Sequence, residues 1–156
     1  MSLRVLSIIP ETMADGPGLR TSVYVAGCNH KCPGCHNPES CNFEQGDICD
    51  PIELANELIK NPYTNITFSG GDPIYQIEGL LQCCKHIKKH SKKNIWVYTG
   101  FTYEELLDFQ QYRELEKYVD TFVTDSFIYT LRDTSLKFRG SSIQRIINLR
   151  YSMDTH

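Results

Sequence analysis

The sequence predicts an α/β fold, a partial, open (βα) barrel on a mostly parallel sheet, and three observations carry that expectation. Segments of strand character alternate with segments of helical period along most of the chain, which is the pattern of βαβ units. Four strands would be set parallel by such crossovers, at 21–26, 65–69, 94–99 and 119–124. That is about half of a closed eight-stranded barrel, so the sheet should curve and stay open along one side. Finally, the unusual motifs all follow those strands: a cysteine-rich loop after the first, GGDP after the second, TGF after the third and Asp125 after the fourth. In parallel α/β architectures ligands bind at the carboxyl ends of strands, so the motifs should converge on one mouth.

Each element has its own justification. Residues 3–9 form a first strand, and the turn-rich ETMADGPGLR leads to a second, TSVYVAG, ending at Gly27. Ten connecting residues are too few for a helical crossover, so this pair should be antiparallel. DPIELANELIK is a helix with Asp50 at the N-cap, Pro51 at the first position and Glu53 at N3, its apolar stripe made of Ile52, Ala55, Leu58 and Ile59. NITFSGG is a short buried strand. The stretch 74–90 is a helix with Ile77, Leu80, Leu81, Cys84 and Ile87 on one face. NIWVYTG is the next strand, and Thr102 with Glu105 forms a capping box opening a helix to about Tyr118. VDTFVTD is the last parallel strand, before a C-terminal part containing LKFRG and IQRIINL.

Composition narrows the function. At 156 residues the chain reads as a single domain, 1–156, able to bury roughly 68–70% of its unfolded surface. With 40% hydrophobic and 22% charged residues and a net charge of −3, there is no basic excess to suggest nucleic acid or an anionic membrane. The N-terminus is too poor in apolar residues for a signal peptide and no stretch suits a membrane span, so a cytoplasmic location is expected. Seven cysteines in a reducing compartment point to metal binding or catalysis rather than a disulfide framework.

Three of them stand in CNHKCPGC, at Cys28, Cys32 and Cys35, spaced C-x3-C-x2-C. On a helix this spacing would be a plain apolar stripe, but Pro33 and Gly34 break a helix and mark a loop. Structural zinc would need a fourth ligand, for which His30, His36, Cys41 or Cys49 are available. A 4Fe–4S cluster fits better: three thiolates hold three irons and leave the fourth open, as a catalytic metal keeps one position for its substrate.

This motif resembles that of the radical S-adenosylmethionine superfamily. DGPGLR (15–20), GCNHKCPGCHNPES (27–40), TFSGGDP (67–73), WVYTGF (96–101) and FRGSSIQRII (138–147) are together similar to the activating proteins of glycyl radical enzymes, and within these to the family that activates anaerobic ribonucleotide reductase. The resemblance runs from about Pro10 to Asn148. It implies a barrel of the radical S-adenosylmethionine type and a 4Fe–4S cluster on Cys28, Cys32 and Cys35. S-adenosylmethionine would chelate the open iron, Gly34, Cys35 and His36 would lie by the adenine, Gly70, Gly71 and Asp72 would hold the methionine amino group, and Tyr98 and Thr99, with Gly100, would border the ribose or sulfonium.

The implied reaction is reductive cleavage of S-adenosylmethionine to methionine and a 5′-deoxyadenosyl radical, which takes a hydrogen atom from a glycine of the large subunit of anaerobic ribonucleotide reductase. The electron would come from a one-electron donor such as reduced flavodoxin. No acid–base residue is required, because the cofactor supplies the chemistry. Alternatives are an activase of pyruvate formate-lyase, a small-molecule radical enzyme such as a deazapurine synthase, and a non-catalytic metal-binding module. Cys41 replaces a tryptophan common in relatives, and Ser126 after Asp125 replaces a glycine. Cys83 and Cys84 read as inert buried thiols, HIKKHSKKN as a solvated helix end, and Arg139 and Arg145 as surface ion-pairing residues.

Overall fold

The computed structural model describes residues 2–27, 46–124 and 145–149. Seven strands make one open sheet, β1 (Leu3–Thr12), β2 (Arg20–Val25), β3 (Asp47–Cys49), β4 (Asn65–Gly70), β5 (Ile95–Tyr98), β6 (Thr121–Thr124) and β7 (Arg145–Asn148). They are ordered β3-β1-β2-β4-β5-β6-β7. The four central strands β2, β4, β5 and β6 are mutually parallel, as the strand count predicts. The outer pairings β1–β2, β1–β3 and β6–β7 are antiparallel, so the short first connection does reverse the chain.

Helix α1 (Pro51–Ile59) and helix α2 (Ile77–His90) provide the crossovers. Asp50 caps α1, its carboxylate accepting from Ile52 N at 3.1 Å and Glu53 N at 3.0 Å, and Pro51 takes the first position, where no N–H is needed. The buried stripe of α1 is Leu54, Ala55 and Leu58 with Pro51. Ile52, expected within it, is exposed, because the helix is rotated to bring Leu54 inward.

Several expectations are corrected. The first strand runs on to Thr12, β3 was not anticipated, and α2 starts at Ile77 after a separate 3₁₀ turn, Pro73–Gln76. The helix expected from Thr102 to Tyr118 is two single turns, α3 (Tyr103–Leu106) and α4 (Tyr112–Leu115). The capping box is present, Thr102 Oγ1 accepting from Glu105 N and Glu105 accepting from Thr102 N. What stops the helix is the spacing of its apolar residues. Leu106, Phe109, Tyr112 and Leu115 recur every three residues, a period that drifts around an α-helix but stays on one side of tighter i→i+3 turns. Such bonds run from Phe109 N to Leu106 O and from Tyr112 N to Phe109 O, both 3.1 Å.

Alternation along the strands makes two unlike sheet faces. Val23, Val25, Ile66, Phe68, Ile95, Val97 and Phe122 form one core with Leu54, Leu58, Leu80, Cys83, Cys84 and Ile87 of the helices. The opposite face carries Arg20, Ser22, Tyr24, Thr67, Trp96 and Tyr98, and no described helix covers it.

Candidate functional site

The carboxyl ends of β2, β4 and β5 are stitched together by hydrogen bonds from GGDP. Gly71 N donates to Val25 O at 2.8 Å and Asp72 N to Gly27 O at 2.7 Å, so the second motif is tied to the residue just before Cys28. Gly70 has φ +100, and a Cβ there would lie 2.6 Å from Val25 N, so only glycine lets β4 finish against β2. Asp72 is fully buried. One carboxylate oxygen accepts from Ile74 N at 3.0 Å, capping the 3₁₀ turn. The other accepts from Thr99 Oγ1 at 2.9 Å and Gly100 N at 2.8 Å, joining β4 to β5. Asp72–Pro73 repeats the Asp–Pro cap signal of Asp50–Pro51, so this role was available in the sequence.

Gly70, Gly71, Asp72, Tyr98, Thr99 and Gly100 are thus brought to one mouth. Tyr98 and Thr99 nevertheless point to opposite faces: Thr99 bonds to Asp72, whereas Tyr98 is on the helix-free face. Cys28, Cys32, Gly34, Cys35, His36, Cys41, Asp125, Ser126 and Arg139 lie outside the described residues, as does the side chain of Arg145. Cys83 and Cys84 are buried in α2, and burial raises both thiol pKa values.

Below the mouth, the helix-free face holds a polar layer with no role assigned from sequence. Arg20 is fully buried. Its Nε donates to Thr67 Oγ1 at 2.7 Å, and its other nitrogens to Pro17 O at 3.1 Å, Ile66 O at 2.8 Å, Asn94 O at 3.1 Å and Asn94 Oδ1 at 2.9 Å. The guanidinium lies 5.6 Å from the Trp96 ring centroid, and burial lowers its pKa to about 10. This cation holds the DGPG turn down. A Cβ at Gly16 would meet Arg20 Cδ at 2.7 Å, and Thr67 Oγ1 donates to Asp15 O at 2.8 Å. Tyr24 in turn donates its phenol to the Asp15 carboxylate; burial, then Asp15, raises its pKa. The alternation Arg20, Ser22, Tyr24 was the available signal for this layer.

The Tyr98 hydroxyl is buried with no partner among the described residues, and burial followed by the Asp15 charge raises its pKa. An orphan hydroxyl is costly unless something else satisfies it. Its place at the end of β5 fits the edge of a polar ligand such as a ribose. The side-chain-free Gly70–Gly71 step likewise fits close approach of a ligand to the main chain, and cysteines spaced C-x3-C-x2-C in the sequence are of the residue type that ligates iron–sulfur clusters.

Comparison with known proteins accords with this arrangement. Residues 14–147 match the family described as 4Fe-4S single cluster domain. The anaerobic ribonucleoside-triphosphate reductase-activating protein of Haemophilus influenzae is 35% identical over 152 residues, covering 92% of this chain and 97% of that protein. This chain belongs to the anaerobic ribonucleoside-triphosphate reductase-activating protein family. Members from Enterobacteria phage T4 and Escherichia coli K12 are each 33% identical, covering 89% and 90% of this chain and 90% and 96% of their own lengths. The family's match thus extends over the C-x3-C-x2-C sequence, the stitched mouth and the polar layer alike. No described helix is long and apolar enough to cross a membrane.

Proposed function

We propose that this protein activates anaerobic ribonucleoside-triphosphate reductase by installing a glycyl radical, using S-adenosylmethionine and a 4Fe–4S cluster held by Cys28, Cys32 and Cys35. The observation that carries the reading is the pair of bonds made by Asp72, from its N–H to Gly27 O and from Thr99 to its carboxylate. They tie Gly27, the residue before Cys28, to the ends of β4 and β5. When bound, the reduced cluster supplies the electron that cleaves S-adenosylmethionine to methionine and a 5′-deoxyadenosyl radical.

The chain's own task is to orient and enclose. Gly70 and Gly71 leave room for the methionine amino group at the main chain, and Asp72 acts by holding that segment in place, since its oxygens already accept from Ile74, Thr99 and Gly100. Tyr98 offers its hydroxyl to the nucleoside, with Gly34, Cys35 and His36 toward the adenine. The open edges of the sheet suit a protein substrate whose glycine segment enters the mouth, with the large reductase subunit as partner and a low-potential carrier such as flavodoxin as donor.

The test is anaerobic incubation of the reconstituted protein with the reductase, S-adenosylmethionine and a reductant. The expected result is a glycyl radical doublet in the electron paramagnetic resonance spectrum, abolished by replacing any one of Cys28, Cys32 and Cys35 with alanine and retained in Cys41→Ala. No doublet from the intact protein, or a cluster whose fourth iron is closed by Cys41, overturns the reading.

A further inference from the structure

Helix α2 carries two histidines one turn apart, His86 and His90, a spacing that sets both on one side of the helix. Their rings meet, with centroids 4.3 Å apart and an interplanar angle of 46°. From the neighbouring helix α1, Asn56 places its Oδ1 2.8 Å from His86 Nε2. His86 is half-buried, whereas His90 and Asn56 are exposed. Two imidazoles and an amide oxygen thus gather where α1 and α2 pack together, in the half of α2 that leads to the amino end of β5, away from the mouth.

These separations match those of neighbouring ligands on one transition-metal ion. An ion held by one nitrogen of each ring at about 2.0–2.1 Å, with the bonds near a right angle, sets the ring centroids about 4.5 Å apart and adjacent donor atoms about 3 Å apart. The observed 4.3 and 2.8 Å lie close to both. Histidines at i and i+4 are also the pair with which a single helix grips zinc. No third histidine, cysteine or carboxylate joins them among the described residues, so the remaining positions belong to Asn56 and water. The local field permits a cation. His90 closes α2, whose last turn carries the negative end of the helix dipole. Of the nearby lysines, Lys88 is held by Asp120 at 2.6 Å and Lys60 by Glu57 at 2.7 Å, while Lys85 and Lys89 are exposed, where salt screens them. Imidazole donors select zinc, nickel or copper over magnesium and calcium.

We propose that His86, His90 and Asn56 Oδ1 form a site for a divalent transition-metal ion of the zinc and nickel class, completed by water, which clamps α1 to α2. On binding, the ion replaces the proton that His86 Nε2 donates to Asn56, and that proton leaves to solvent. The consequence is mechanical. Helix α1 follows directly on β3, and α2 follows the 3₁₀ turn that Asp72 caps, so a clamp between them stiffens the layer that backs the sheet. The site uses none of the cysteines and none of the residues at the mouth, and it therefore stands or falls independently of the function proposed above.

The test titrates Ni²⁺ into the full-length, cluster-loaded protein and compares wild type, His86→Gln, His90→Gln and Asn56→Ala, so that nickel bound at cysteines cancels between them. Calorimetry gives the affinity, and the urea midpoint of each protein is read against its own metal-free value. Expected is one nickel ion in wild type whose affinity falls by about tenfold or more in either histidine variant and by less in Asn56→Ala. Nickel should raise the wild-type urea midpoint through its preference for the folded state and slow amide exchange in both α1 and α2. Magnesium in large excess should displace none of it. Equal nickel affinity in wild type and both histidine variants would overturn the site. Slowed exchange in α2 alone would overturn the clamp, and displacement by magnesium would mean that carboxylates rather than imidazoles hold the ion.

Discussion

The Asp72 carboxylate accepts a hydrogen bond from the Thr99 hydroxyl at 2.9 Å across the ends of two parallel strands. The same oxygen takes Gly100 N and its partner oxygen caps Ile74 N, so one buried anion fixes three backbone segments. Replacing Asp72 with asparagine keeps the shape but turns one acceptor into a donor that meets another donor. The expected cost is about 1–3 kcal/mol, read as a lower urea midpoint. Thr99→Val, which removes the hydroxyl that donates to Asp72 and accepts from Phe101 N but leaves the Asp72 carboxylate its bonds from Gly100 and Ile74, should cost less. If Asp72→Asn is as stable as wild type, the anchoring role is wrong.

Gly70 makes a sharper case. Alanine there combines φ +100 with a Cβ 2.6 Å from Val25 N and 2.7 Å from Val25 O, and both contacts are backbone that cannot swing aside. Gly18 is the control, with φ +74 and nothing within 4 Å of its would-be Cβ. Gly18→Ala should cost about 1–2 kcal/mol of conformational strain. Gly70→Ala should cost more and displace the end of β4 from β2, seen as faster amide exchange at Gly71 and Asp72.

Arg20 is predicted to be the most sensitive residue of the polar layer. Its methionine variant would keep much of the volume but strand the acceptors on Pro17, Ile66 and Asn94, at about 3–5 kcal/mol in total. Arg20→Lys restores the charge without the planar fork and should recover only part. Trp96, the one tryptophan of the chain, lies 5.6 Å from the guanidinium and reports the change directly. Its emission maximum should shift in both variants, and an unchanged spectrum would show that the guanidinium does not sit against the ring.

The parallel centre of the sheet was legible because each of its strands carries its own apolar signal and turn punctuation. Strand β3 was not, because the three residues Asp47–Cys49 become a strand only by pairing with Leu3–Val5. The break between α3 and α4 was hidden by a genuine capping box at Thr102, which announces a helix but says nothing of its length. At the site, glycine and cysteine motifs were legible as motifs. The use of Asp72 as a cap, and the separation of Tyr98 from Thr99 onto opposite faces, follow from strand alternation and a capping rule applied elsewhere in the same chain. The polar layer was missed because Arg20 looks like a surface residue until β2 and β4 are placed side by side.

The paired thiols of α2 set a pH dependence that can be isolated. Burial raises the pKa of Cys83, and burial raises that of Cys84 well above 9. An unfolded thiol titrates near 8.5. Because the folded values lie above the unfolded one, the stabilisation is complete below about pH 8 and is lost as pH rises toward the folded values. Each thiol then removes about 1.4 kcal/mol per pH unit. Arg20, lowered to about 10, acts in the opposite sense, its burial cost being relieved only as it deprotonates above pH 10, whereas Cys49, Tyr24 and Tyr98, all raised, act in the same sense as the two thiols, so the share of Cys83 and Cys84 is the difference in slope between wild type and a variant lacking them. Anaerobic urea unfolding followed by Trp96 fluorescence should give a stability that falls more steeply between about pH 8.5 and 10 in wild type than in Cys83→Ala/Cys84→Ala, by about 2–3 kcal/mol per pH unit. The variant starts lower at pH 7 because it leaves a cavity, so the slope rather than the midpoint is decisive. Parallel slopes would mean that the two thiols are reached by water in the folded state, and both would then be alkylated by iodoacetamide without unfolding.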